Sequence, residues 1–160
     1  MKKTDKYHQM GKKMSALSAI FAAFLMTSCG FVELERSKNG NLDGYWHMET
    51  VDTLSTGGSL DLRQERRFWL VQGTVFQLYS PDLEYGQRYV SHFSRENNQL
   101  TIHKIYYDNR EAGDPEVEDA EPLRPFGINN IENEQFNIEE LTGGKMTLRN
   151  ETLQLTFKKF

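Results

Sequence analysis

The chain has 160 residues, a formal charge of -4, 38% hydrophobic content and a single cysteine. That length predicts one domain with a real core, and the mildly acidic balance speaks against a nucleic-acid binder. One cysteine excludes an internal disulfide and a multi-cysteine zinc site. High aromatic content (12%) with a low mean hydropathy of -0.67 suits many short, half-buried strands.

Residues 1–13 carry Lys2, Lys3, Lys6, Lys12 and Lys13 against one acid, Asp5, and residues 14–26 hold no charge. A basic leader followed by an apolar stretch too short to span a bilayer reads as a targeting segment. Next comes Met26-Thr27-Ser28-Cys29. Small residues directly before a cysteine resemble the bacterial lipobox, with Met26 standing where leucine is usual. The resemblance implies that residues 1–28 are a signal peptide that is removed. It also implies that Cys29 is acylated and becomes the new N-terminus. One acyl chain anchors only marginally, and the lipoprotein modification supplies two or three. The expected address is the cell envelope, lipid-anchored at the outer membrane, with either face open. The alternatives are an ordinary cleaved signal peptide or an N-terminal helix with a buried cysteine. Removing residues 1–28 leaves 132 residues with 14 basic and 22 acidic groups, a net charge of -8.

Residues 29–41 lack any period and end in Asn and Gly, and so read as a lipidated tether. The predicted domain spans 42–160. Residues 45–51 form a β-rich stretch. Residues 66–79 hold Phe68-Trp69-Leu70-Val71, then Gly73, then a second apolar run, so Gly73 is either a bulge or a turn. The clearest hairpin joins 87–94 to 99–107 through Asn97-Asn98, since Asn tolerates positive φ. Its register sets Phe93 opposite Ile102, Tyr89 opposite Tyr106 and His92 opposite His103. The segment 108–127 carries seven acids and three of the four prolines, and reads as a solvated surface loop. A short helix fits 59–65 or 128–134. Phe136 and Ile138 share a parity that Leu141 breaks, which calls for a bulge or a longer turn. A final hairpin joins 145–149 to 152–160, turning at Asn150-Glu151, with Met146, Leu148 and Leu155 on one face.

About seven to nine antiparallel strands need either a closed barrel or a two-sheet sandwich. Polar outer faces disfavour a membrane-spanning barrel. Asp43-Gly44-Tyr45-Trp46, just inside the first strand, resembles the lipocalin opening motif. The strand pattern of 136–148 and the closing Leu155-Thr156-Phe157-Lys158-Lys159-Phe160 add to that likeness. With the lipobox, the chain resembles the lipocalin-like lipoproteins of anaerobic Gram-negative gut bacteria. The resemblance implies an all-β, antiparallel up-and-down lipocalin-like barrel of about eight strands. It further implies that Trp46 plugs the closed end, with Arg149 or Lys158 supplying a cation across the indole. The arginine that follows the last strand in typical lipocalins, and their added α-helix, are absent.

Phe68, Phe76, Tyr89, Phe93, Ile102, Tyr106, Phe136 and Met146 are the candidate inward residues. They line a ligand pocket or fill the barrel solid; the residues allow both. A small apolar or amphipathic ligand is the leading expectation. The alternative is a filled, non-enzymatic interaction module whose loops bind an envelope protein, and a hydrolase or isomerase using the barrel mouth is a distant third. No G-x-S-x-G, H-E-x-x-H or P-loop occurs, so no catalytic residue is assigned. No cofactor is expected. The His92/His103 pair lacks a third metal ligand, and the acidic loop lacks EF-hand spacing.

Overall fold

The computed structural model describes residues 37–83 and 87–160. The signal-like residues 1–28, Cys29 and the tether as far as residue 36 lie outside the described residues. Ten strands follow one another among the described residues: β1 (Gly44–Thr53), β2 (Gly58–Asp61), β3 (Phe68–Gln72), β4 (Val75–Tyr79), β5 (Arg88–Glu96), β6 (Gln99–Ile102), β7 (Tyr106–Tyr107), β8 (Glu134–Leu141), β9 (Lys145–Arg149) and β10 (Leu153–Lys159). Eight of them close a ring in the order β1-β3-β4-β5-β6-β8-β9-β10, and β10 returns to pair antiparallel with β1. β2 flanks the second half of β1, and β7 flanks the first half of β5. The chain therefore forms a closed barrel and not a two-sheet sandwich. Closure pairs the edges that an open sheet would leave bare.

Local chemistry explains most of the strand ends. Gly73 has φ +62 and sits with Thr74 between paired Gln72 and Val75, so it makes a turn and not a bulge. Asn97 takes φ +54 in the turn between β5 and β6, and the predicted register follows: Glu96↔Gln99, Arg95↔Leu100, Phe93↔Ile102. A bulge near Glu139 resets β8 against β9, as the parity of Leu141 requires. The last hairpin keeps its expected faces but turns later. Arg149 pairs with Gln154, because the Asn150 side chain accepts from the amides of Thr152 and Leu153. That register is two residues away from a turn at Asn150-Glu151. A shift of two leaves each side chain on its own face.

Neither expected helix forms. Residues 59–61 belong to β2, and the helical turns among the described residues are short 3-10 pieces at Gly40–Leu42, Arg110–Ala112 and Glu121–Phe126. The core lies inside the ring. Trp46, Met48, Trp69, Phe76, Leu78, Tyr89, Phe136, Met146, Leu148, Leu155 and Phe157 are fully buried there.

Candidate functional site

The two ends of the barrel differ, and both use an indole. At the closed end, the 3-10 turn Gly40–Leu42 crosses beneath the strands. Trp46 Nε1 donates to the Leu42 carbonyl at 2.7 Å. Asn39 Nδ2 donates to the Gly73 carbonyl at 2.6 Å, which ties the turn to the β3–β4 hairpin. Trp46, the expected plug, is fully buried at this end. The cation is neither Arg149 nor Lys158, since both are exposed. Arg149 stands at the far end of β9, and Lys158 points outward on β10. Lys159 pairs with Trp46 across the sheet, holds its Nζ 4.7 Å from the indole centroid, and donates to the Asn41 carbonyl at 3.0 Å. A Cβ on Gly44 would collide with the Lys159 side chain. That gives the glycine of Gly44-Tyr45-Trp46 its reason.

The barrel body is filled. Phe76, Tyr89, Phe93, Ile102, Phe136 and Met146 are buried inside, as expected. Two candidates are not inside. Phe68 faces outward, because β3 turns Trp69 and Val71 into the core. It is covered by an external cluster, with ring centroids of Tyr45 at 4.7 Å, His47 at 5.3 Å and Phe160 at 5.7 Å. Leu70 shares that outward face. Tyr106 is outward as well, since it pairs with Val90 while Tyr107 pairs with Tyr89. The cause is an extra residue between Ile102 and Tyr106. The buried Ser91 hydroxyl supports it, lying 2.9 Å from the His103 carbonyl and 3.0 Å from that of Lys104. Ile105 takes the inward place.

Sequence reasoning missed Trp69, which is central. Its ring meets Phe157 at 4.8 Å, Phe76 at 5.0 Å and Phe136 at 5.8 Å, side chains from three different strands. At those centroid separations the rings touch, so no ligand passes that level of the barrel. Parity with Val71 could not single it out, in a run whose two faces are equally apolar.

At the opposite end, the mouth, the expected surface loop turns inward. Asp108, Glu111, Glu116, Glu118, Asp119 and Glu121 stay at the surface, but Val117, Leu123, Phe126 and Ile128 are buried in the core. Each such apolar side chain contributes about 1.5–3 kcal/mol by leaving water. Three wall residues hold the segment by its carbonyls. Trp69 Nε1 donates to Phe126 at 3.1 Å and Arg67 Nη1 to Pro125 at 3.0 Å. The Tyr89 hydroxyl makes a longer contact to Pro122 at 3.5 Å. Burial, then the neighbouring Tyr107, pushes the Tyr89 hydroxyl up to about 12, so it stays a donor. Gly127 has φ +78, and a Cβ there would stand 2.8 Å from both Leu155 methyls.

A buried carboxylate fastens the far side of this segment. Glu134 accepts from the amides of Asn129 and Asn130, both at 2.7 Å, and from Asn150 Nδ2 at 2.9 Å. These donors are all uncharged, so it serves as a clasp between the mouth segment and the last hairpin. The two histidines stand opposite one another, as His103 N donates to the His92 carbonyl. Their rings contact different partners: His92 the Thr74 carbonyl, His103 the Asn133 side chain. Among the described residues no group of three or more His, Cys, Asp or Glu gathers at ligand spacing. No helix of the described residues is long and apolar enough to cross a membrane. Open clefts of about 600 and 620 Å³ lie on the outside of the barrel. One is edged by Gln135, Asn137 and Arg149, the other by Tyr45, Leu70 and Val75.

Comparison with known proteins agrees with this architecture. The profile of the lipocalin-like domain family matches residues 24–160. A crystal structure of a lipocalin-like protein from Bacteroides uniformis superposes with a TM-score of 0.58 at 19% identity. It covers 76% of this chain and 100% of that one. A second crystal structure, of an uncharacterized protein from Bacteroides eggerthii, gives 0.56 at 22% identity, covering 74% and 98%. No curated protein matches the chain. A closed eight-stranded ring, with the family profile matching residues 24–160, makes this chain a member of the lipocalin-like domain family.

Proposed function

We propose that the protein is a lipid-anchored binding protein of the cell envelope, held at the outer membrane through Cys29. It takes a small apolar or amphipathic molecule at the barrel mouth. One observation carries this reading. The mouth is closed by a loop resting on wall side chains, whereas the opposite end is closed by the chain that leads into β1. A filled body leaves the mouth as the interior volume open to exchange. The basic leader, the uncharged stretch and Met26-Thr27-Ser28-Cys29 support the anchor.

Two experiments test it. Fatty-acid labelling should mark the wild-type protein and fail in Cys29→Ala, and label retained in that variant would overturn the anchor. Native mass spectrometry of the protein from its own host should reveal a co-purified small molecule, and repeated absence would count against the ligand. A second reading, an interaction module for an envelope protein, is favoured by the external rings. Phe160 is 85% exposed and lies edge-on to Tyr45 and Phe68.

A further inference from the structure

We infer that residues 118–128 are a displaceable stopper, and that what displaces them is an amphipathic anion with an apolar body of about eleven to fifteen carbons. This rests on the reading that the mouth takes a ligand. It adds the ligand's charge, its size and the part of the chain that moves.

The hydrogen bonding shows where the movable part begins and ends. The segment enters through Val117, whose amide donates to the Ile105 carbonyl beside β7. It leaves through Asn129 and Asn130, whose amides rest on Glu134. Between these anchors the backbone bonds are internal: Leu123 and Arg124 to Ala120, Gly127 to Arg124, Ile128 to Leu123. Pro122 and Pro125 have no N–H to lose. The segment can therefore leave with its own hydrogen bonds intact, breaking no ladder of the barrel. Gly113 and Gly127, at φ +77 and +78, stand before and near the end of it in a conformation that suits glycine.

The wall contacts identify the chemistry that would replace it. Arg67, Trp69 and Tyr89 present donors, and the stopper answers them with neutral carbonyl oxygens. Arg67 is largely buried, its side chain 18% exposed, and its ion-pair partner Glu65 stands 3.9 Å away. A carboxylate head placed there would turn neutral bonds into charge-assisted ones, which are shorter and about twice as strong. The stopper's apolar part sets the size. Leu123 and Phe126, on its 3-10 turn, are fully buried, with Phe126 edge-on to Tyr89 at 6.0 Å. Their side chains together hold about eleven carbons, and burial scales with apolar area. Ile128, beside the Asn129 anchor, is fully buried as well and raises the upper limit to about fifteen carbons. A ligand much shorter could not match what the stopper gives up.

The test uses the full-length protein with dodecanoate, and dodecanol as the neutral control, both below their aggregation limits. Dodecanoate should bind at least tenfold more tightly than dodecanol. It should also speed amide exchange at 118–128 at least tenfold while the barrel strands stay protected. Arg67→Gln should abolish the difference between the two probes with the barrel still folded. Leu123→Ala, which empties part of the mouth, should bind dodecanoate more tightly than wild type. Equal binding of the two probes would overturn the anion assignment and leave the ligand reading standing. Binding with unchanged exchange at 118–128 would overturn the stopper. No binding to either wild type or Leu123→Ala would overturn the underlying ligand reading itself.

Discussion

The same bond closes both ends of this barrel, at very different reach along the chain. Trp46 donates its indole N–H to a carbonyl four residues away, and Trp69 donates to one 57 residues away. The first bond forms wherever the opening strand forms. The second waits until a long, irregular segment has folded back over the mouth. Loop closure costs entropy before such a contact is gained. Local contacts thus fix one end as a floor, while distant ones make the other a cover. The difference teaches that burial alone does not make a residue part of the frame. Phe126 and Trp46 are equally buried, but only Trp46 lies in a hydrogen-bonded strand.

The sharpest way to test the contrast is to remove each plug. Trp46→Ala should cost about 3–5 kcal/mol of global stability, read from denaturant unfolding, and should loosen every strand. Phe126→Ala should cost about 3 kcal/mol, concentrated at the mouth. Hydrogen exchange should then rise in 118–128 and stay slow in β3, β4 and β5. Equal loosening throughout the barrel would abolish the distinction between floor and cover.

The mouth should also open first in alkali. The Tyr89 hydroxyl is raised from its ordinary value of 10.0 to about 12 in the folded protein. Its protonated form is therefore favoured by folding. That contribution is full below pH 10 and is lost as pH rises towards about 12. A tenfold change in a proton equilibrium is worth about 1.36 kcal/mol, so the loss amounts to about 2–3 kcal/mol. Tyr89→Phe should remove this alkaline step in a pH series of melting curves. The smallest effect is expected at the clasp. Glu134→Ala removes the acceptor for two backbone amides and for the Asn150 side chain and should cost about 2 kcal/mol. Exchange at Asn129 and Asn130 should report it directly.

How far the sequence spoke for itself follows the same division. Gly44-Tyr45-Trp46, Asn97-Asn98 and the parity of Met146, Leu148 and Leu155 are local signals, and the first strand, the turn and the buried face they predict are present. The partner of Trp46 was not local. Arg149, Lys158 and Lys159 all lay near the last strand, and only the β1–β10 register singles out Lys159. In Phe68-Trp69-Leu70-Val71 both parities are apolar, so alternation could not tell which face is inside. The external rings of Tyr45 and Phe160, which make burial of Phe68 tolerable outside, come from the two ends of the domain. The mouth segment misled for another reason. Its buried residues, Val117, Leu123 and Phe126, are interleaved with acids and prolines and share no helix or strand period.

The pairing of β1 with β10 has a consequence for timing. These are the first and last strands of the ring in chain order, and Phe160 itself donates to the Tyr45 carbonyl. The intervening hairpins can assemble as they emerge, but the ring cannot shut until β10 is available. Until then β1 and β9 each lack a neighbour, and the apolar faces of Trp46, Met48, Met146 and Leu148 stay uncovered. Chain shortening by even one strand at the C-terminus should therefore yield an adhesive, incomplete sheet and not a slightly smaller barrel. Folding of this domain therefore waits on the strand of the ring that is made last.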